Sequence, residues 1–138
     1  MTTSNEKSIT IALMDPPYES GTTTTALRIM DAALRKGISV NVFAYEGAVN
    51  LTMRGQAPHP NPVKGTSIEE QDHPSTAKFI AGLFAMGASS PKLEWVNCGL
   101  CVDERGGGEW IDGPRRGGPG DLFKFSQKST NTLIIGTR

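Results

Sequence analysis

Trp95-Val-Asn-Cys98-Gly-Leu-Cys101-Val-Asp-Glu-Arg105-Gly106 holds both cysteines of a chain of 138 residues. The run that leads into it, Leu93 to Val96, is apolar and reads as a strand. Gly99 follows the first cysteine, and a glycine-rich segment follows the second. In an open parallel α/β sheet this puts Cys98 just past the carboxyl end of a strand, the edge at which such sheets bind ligands and do chemistry. A thiol at or near the first turn of a following helix meets unpaired backbone N–H groups and the positive end of the helix dipole. Both favour the thiolate, which is the nucleophilic form.

The residues upstream supply the sheet that this picture needs. Ile9-Thr-Ile-Ala-Leu-Met14 is a short β-branched run, predicted to be a buried first strand. Asp15-Pro-Pro-Tyr18 stops it, because proline has no N–H to give a ladder. A helix opens over Gly21 to Thr25, with Ser20 or a threonine as N-cap. Ala26, Leu27, Ile29, Met30, Ala33 and Leu34 recur at helical spacing, and Lys36-Gly37 ends the element. Val40, Val42 and Phe43 make a second strand. The resulting βαβ unit demands a parallel pair with a right-handed crossover.

Tyr45-Glu46-Gly47 then turns the chain, and Ala48 to Arg54 has room for one or two helical turns. Gln56 to Asp72, with Pro58, Pro60 and Pro62, has no periodicity and reads as a long loop of the functional or mobile kind. A second helix is expected from around Asp72 to Pro74, burying Phe79, Ile80, Leu83 and Phe84 and closing at Gly87.

Downstream of the cysteines, Gly106 to Gly120 carries seven glycines, two prolines and the pair Arg115-Arg116. Glu109-Trp110-Ile111 reads as a short extra strand within it. Asp121 to Lys128 is the last helix, its acidic start and basic end suiting the dipole, and Thr132 to Ile135 the last strand. The expected fold is one domain spanning residues 1–138. It is an α/β three-layer sandwich, with a mainly parallel sheet of four to five strands and helices on both faces.

Composition narrows the function classes. Fourteen basic and fourteen acidic residues cancel, so no basic field exists to hold nucleic acid by its phosphates. Zero net charge offers little self-repulsion and tolerates assembly with other chains. The polar start, Met1 to Lys7, and the short apolar run after it resemble neither a signal peptide nor a membrane span, so a cytoplasmic protein with no membrane partner is expected. In a reducing compartment two cysteines point to catalysis, redox chemistry or metal rather than a structural disulfide.

The cysteines are spaced C-x-x-C, which allows a reversible disulfide or two metal ligands. A tetrahedral zinc site wants four ligands, and His59 and His73 lie at no ligand spacing to the thiols. No metal is therefore expected. A bland alternative is a pair of inert buried thiols. Arg105 lies seven residues past Cys98, on about the same face if the segment stays helical. There it would stabilise a thiolate or persulfide anion, with Asp103 and Glu104 pulling the other way. The loop Asp15 to Thr25 opens a helix and admits a flavodoxin-like phosphate site, but lacks the P-loop lysine. The competing reading has its threonines capping and packing.

These residues together resemble the DsrE/DsrF-like proteins, and within them the TusD/DsrE branch. The resemblance rests on the order of elements and on Pro16-x-Tyr18 after the first strand. It rests too on Phe43-x-Tyr45-Glu46-Gly47 after the second, and on Cys98 followed by Arg105-Gly106. It runs from about Ile9 to Ile135. It implies a small, mainly parallel sheet and assembly as trimers or hexamers, with like or related subunits. It also implies a sulfurtransferase that carries sulfur as a persulfide on Cys98 between donor and acceptor proteins, in tRNA thiolation or sulfur oxidation. The persulfide-carrier reading that the resemblance implies needs no cofactor. Cys101 stands where the family has a small apolar residue, and is a candidate resolving thiol. Some members lack a reactive cysteine and serve as scaffold. The alternatives are such a non-catalytic scaffold subunit, or a flavodoxin-like nucleotide or flavin binder.

Overall fold

The computed structural model describes residues 6–56 and 75–137. The chain runs β1 (Ser8–Leu13), α1 (Gly21–Arg35), β2 (Ser39–Ala44), a 3₁₀ helix (Glu46–Thr52), α2 (Thr76–Met86), β3 (Leu93–Cys98), α3 (Gly99–Glu104), β4 (Arg115–Gly117), α4 (Pro119–Lys128) and β5 (Asn131–Ile135). The sheet has five strands in the order β4-β3-β2-β1-β5. Every neighbouring pair is parallel. The expected α/β sandwich is therefore present, with the sheet at the upper end of the expected strand count.

Alternation along the strands sends side chains to two cores, as period-2 geometry requires. Ile11, Leu13, Val40, Val42, Leu93 and Trp95 pack under α1 and α2 with Leu27, Met30, Ile80 and Leu83. Phe43, Val96 and Cys98 pack on the other face with Val102 of α3 and Phe125 of α4. Each fully buried Leu, Ile or Val contributes roughly 1.5–3 kcal/mol. That burial, rather than helix propensity, holds α1 and α2 against the sheet.

Helix ends follow local chemistry. The predicted stop of α1 is seen at Gly37, whose φ of 80° suits a residue without a Cβ. Ser20 is the N-cap residue of α1, but its hydroxyl donates to the Asp15 carboxylate at 2.9 Å instead of accepting a helix N–H. Ser75 caps α2 by accepting the Lys78 N–H at 3.1 Å.

Several expected details are corrected. Phe79 is not in the α2 core; it is exposed, while Ile80 and Leu83 are buried. Residues Ala48 to Arg54 do not start a new helix after a turn: the 3₁₀ helix already includes Glu46 and Gly47. Glu109-Trp110-Ile111 is not a strand. Trp110 makes only an isolated antiparallel bridge to Met53, with Ile111 N–H donating to the Thr52 carbonyl at 2.9 Å. The strand in this segment is Arg115–Gly117, paired in parallel with β3. The last helix starts at Pro119, two residues early, because Asp121 accepts the Gly118 N–H at 3.0 Å and closes the first turn from its third position. His59, His73, the loop beyond Gln56 and the expected start of the second helix at Asp72 to Pro74 lie outside the described residues. Among the described residues, no helix is long and apolar enough to cross a membrane.

Candidate active site at the end of the third strand

Cys98 is the last residue of β3 and the N-cap residue of α3. A buried polar chain fixes the strand end just before it. Trp95 Nε1 donates to Asn97 Oδ1 at 3.1 Å, and Asn97 Nδ2 donates to Thr52 Oγ1 at 2.9 Å. Trp95, Asn97 and Thr52 are all fully buried, so each of these groups would lose its water without compensation if the chain broke. The network ties β3 to the 3₁₀ helix and sets the direction in which the chain leaves the sheet.

Both thiols are free and nearly closed to solvent, at 7% exposure for Cys98 and 9% for Cys101. Leu100 between them is 72% exposed, so α3 turns its two sulfurs inward and an apolar side chain outward. Cys101 is the third residue of α3. Its Sγ accepts the backbone N–H of Glu46 at 3.1 Å. Glu46 can aim that N–H because its φ is 53°, a left-handed conformation uncommon for a residue with a Cβ.

Burial pushes the Cys101 thiol up from its ordinary range, and a hydrogen bond to the Cys98 sulfur and the Cys98 and Glu46 charges add to this; the Glu46 N–H works in the opposite direction. Burial thus favours the protonated form of the Cys101 thiol. Beside the two thiols, burial first and then the Glu46 and Cys101 charges push the Tyr45 hydroxyl up. The Tyr45 ring lies 5.3 Å from that of Phe43.

Two arginines flank the pair. Arg105, expected next to Cys98, is the C-cap residue of α3. Its guanidinium donates to the Glu46 carboxylate at 3.3 Å and to the Cys101 carbonyl at 3.4 Å. Arg116, from β4, donates from Nη1 and Nη2 to the two oxygens of Asp103, at 3.2 and 2.7 Å. Its guanidinium lies against Gly99, the residue next to Cys98. Asp103 is held below the usual carboxylate range, chiefly by that hydrogen bond. Glu46, Asp103 and Arg116 thus belong to the site in roles that the sequence reading did not give them. Asp103 appeared there only as an opposing charge, and Arg116 only as half of a basic pair in a glycine-rich stretch.

A cleft of about 430 Å³ lies along the same sheet edge, lined by Met14, Asp15, Glu19, Glu46, Arg105 and Thr137 among others. It sits beyond the ends of β1 and β5, where the strand order reverses. Its walls carry three carboxylates against one guanidinium, which disfavours a phosphate there. Among the described residues, no group of three or more His, Cys, Asp or Glu side chains is placed to hold a metal ion.

Comparison with known proteins is consistent over nearly the whole chain. A model of the DsrE/DsrF-like family matches residues 7–133. The crystal structure of the YchN protein from Escherichia coli superposes with a TM-score of 0.72 at 20% identity, covering 94% of this chain and 99% of that one. MTH1491 from Methanobacterium thermoautotrophicum, described as a protein of unknown function, superposes with a TM-score of 0.62 at 12% identity, covering 94% and 100%. Both likenesses concern the fold. No curated protein matches the sequence.

Proposed function

The chain belongs to the DsrE/DsrF-like family, and on that premise we propose that it is a persulfide carrier with Cys98 as the sulfur-bearing nucleophile. Family membership supports a role related to sulfur relay. The observation that carries the finer reading is the position of Cys98, at the carboxyl end of β3 and the head of α3, with the Arg116 guanidinium lying against the adjacent Gly99.

In the loading step the Cys98 thiolate attacks the outer sulfur of a donor persulfide. A new S–S bond forms on Cys98, the donor's S–S bond breaks, and the donor leaves as a thiolate. In the unloading step an acceptor thiolate attacks the outer sulfur on Cys98, and the Cys98 thiolate is the leaving group. No outside oxidant or reductant is used. Cys101 has one competing reaction. Its thiolate would attack the inner sulfur, form a Cys98–Cys101 disulfide and expel hydrosulfide. Because burial raises the Cys101 thiol and so favours its protonated form, that discharge is expected to be slow at neutral pH.

The partners in this reading are the donor and acceptor proteins of a sulfur relay in the cytoplasm. The exposed apolar side chains Leu100, Phe123 and Ile134 suit contact with other subunits. The test is mass spectrometry of wild type, Cys98→Ser and Cys101→Ser after incubation with polysulfide or a persulfidated protein. One added sulfur atom is expected on wild type and on Cys101→Ser, and none on Cys98→Ser. Loading of Cys98→Ser at the wild-type rate removes the assignment. A wild type that never loads favours the scaffold reading. Light scattering on the same samples is expected to show an oligomer; a 14.8 kDa monomer would exclude homo-oligomeric assembly.

A further inference from the structure

Transfer between sulfurs brings two electron-rich centres together. A thiolate attacks a persulfide that is itself readily ionised, and the leaving group departs as an anion. A cation at the point of meeting offsets this repulsion, and a guanidinium suits the task, since its five N–H donors spread over a rigid plane. The cysteine pair has two guanidiniums beside it, and they are differently committed.

Arg105 has its partners on the Cys101 side of the pair. It is engaged by the Glu46 carboxylate and the Cys101 carbonyl, and it is one-third exposed. Arg116 comes from the other side. The β3–β4 register sets Arg116 opposite Asn97 and Gly117 opposite Cys98. Its side chain then lies across Gly99, the residue next to Cys98. A Cβ on Gly99 would stand 2.5 Å from Nε, 2.6 Å from Cζ and 2.7 Å from Nη2. The guanidinium therefore occupies the space where a side chain would be. Asp103 grips it through Nη1 and Nη2, a fork that leaves Nε outside. The side chain remains 53% exposed, open to a visiting group.

We propose that Arg116, held by Asp103 and admitted by Gly99, is the cation that receives the donor's anionic sulfur at Cys98, and that the site takes its donor in ionised form, as a persulfide or polysulfide anion. The identity of that donor rests on the carrier reading; the place of the cation does not. Asp103 is a positioning residue, since it acts through the guanidinium.

The experiment compares two reagents of like size on the full-length protein, anionic iodoacetate and neutral iodoacetamide, with the site of alkylation mapped by mass spectrometry. The ratio of the two rates at Cys98 cancels general changes in exposure, which a merely structural effect moves alike. Arg116→Gln is expected to lower that ratio about fivefold, and added salt to lower the wild-type ratio toward that of the variant. Arg116→Lys is expected to recover part of the loss. Gly99→Ala leaves the guanidinium in the protein but displaces it, and is expected to act in the same direction; it also serves if Arg116→Gln does not fold. Arg105→Gln is expected to lower the ratio less than Arg116→Gln. An unchanged ratio in both Arg116→Gln and Gly99→Ala overturns the proposal, as does a larger loss in Arg105→Gln. A wild-type Cys98 that resists both reagents overturns it too, because a site closed to a small anion cannot admit the donor. If the ratio falls as expected but wild type takes no sulfur from polysulfide, the carrier reading fails and the cation assignment stands.

Discussion

Cys98 and Cys101 sit one helical turn apart and are equally buried, yet their surroundings differ in kind. Cys98 ends a strand and faces an edge strand, where a half-exposed arginine lies across the next residue. Cys101 sits inside the turn. A backbone N–H from a left-handed residue points at its sulfur, and an arginine closes over its carbonyl. On the proposed reading, the contrast separates a sulfur placed for exchange from one placed for retention. Burial alone does not distinguish them. What distinguishes them is whether the neighbouring groups belong to packed backbone or to a side chain that a visitor can engage.

The largest break in this comparison is expected from Asn97→Ala. Asn97 joins the Trp95 indole to the Thr52 hydroxyl, and its removal strands a buried donor at one and breaks the tie at the other. The cost is expected to be about 2–3 kcal/mol in denaturant melts, the penalty for unsatisfied buried polar groups plus a small cavity. The damage lies on the Cys98 side. Alkylation of Cys98 should therefore quicken more than that of Cys101. Equal acceleration of both thiols would show that they move as one unit and would end the distinction.

Much of this arrangement was legible in the sequence because it depends on local patterning. β1, α1, β2 and β3 carry apolar repeats with strong periods, and the strand-to-helix passage at Cys98 follows from Leu93–Val96 and Gly99. Arg105 and Arg116 were another matter. A seven-residue spacing predicts a shared helix face only while the helix lasts. α3 ends at Glu104, so Arg105 leaves the helical phase and reaches Glu46 instead. Arg116 lies on a three-residue strand with exposed side chains and no apolar alternation to announce it. Its nearness to Cys98 follows from β-pairing and from the vacancy at Gly99, both non-local. Glu46 was visible as a turn residue. That its amide would meet a sulfur 55 residues on was not.

The next test is of smaller effect and concerns pH. Burial, and then the Cys98 sulfur, raise the Cys101 thiol in the folded state, while in the unfolded chain it titrates near its ordinary value of about 8.5. Between those two values the folded state binds more protons than the unfolded state. This contribution to stability is thus complete below the unfolded value, and is lost as pH rises through the folded one. Wild type is expected to lose stability more steeply than Cys101→Ser as pH rises above about 8.5. Urea melts across that range decide the point. Parallel losses would mean that Cys101 ionises in place, and that it competes for the persulfide as freely as any thiol.

The smallest effect tests the backbone that sets the two sulfurs apart. Glu46 holds a φ of 53°, which costs a residue with a Cβ roughly 1 kcal/mol. At an ordinary helical position Ala is more stable than Gly by roughly 0.5–1 kcal/mol, because Gly loses more chain entropy on folding. Here the order should reverse. Glu46→Gly and Glu46→Ala both lose the ion pair to Arg105, which is exposed and of small value. They differ only in the Cβ that the left-handed turn penalises. Glu46→Gly is expected to be the more stable by about 0.5–1 kcal/mol in denaturant melts, with the Cys101 labelling rate unchanged between the two. Both keep the N–H that meets the sulfur. If Glu46→Ala is the more stable, residue 46 does not hold the left-handed turn in solution. Its amide then does not point at Cys101, and the retention of that thiol loses its geometric support.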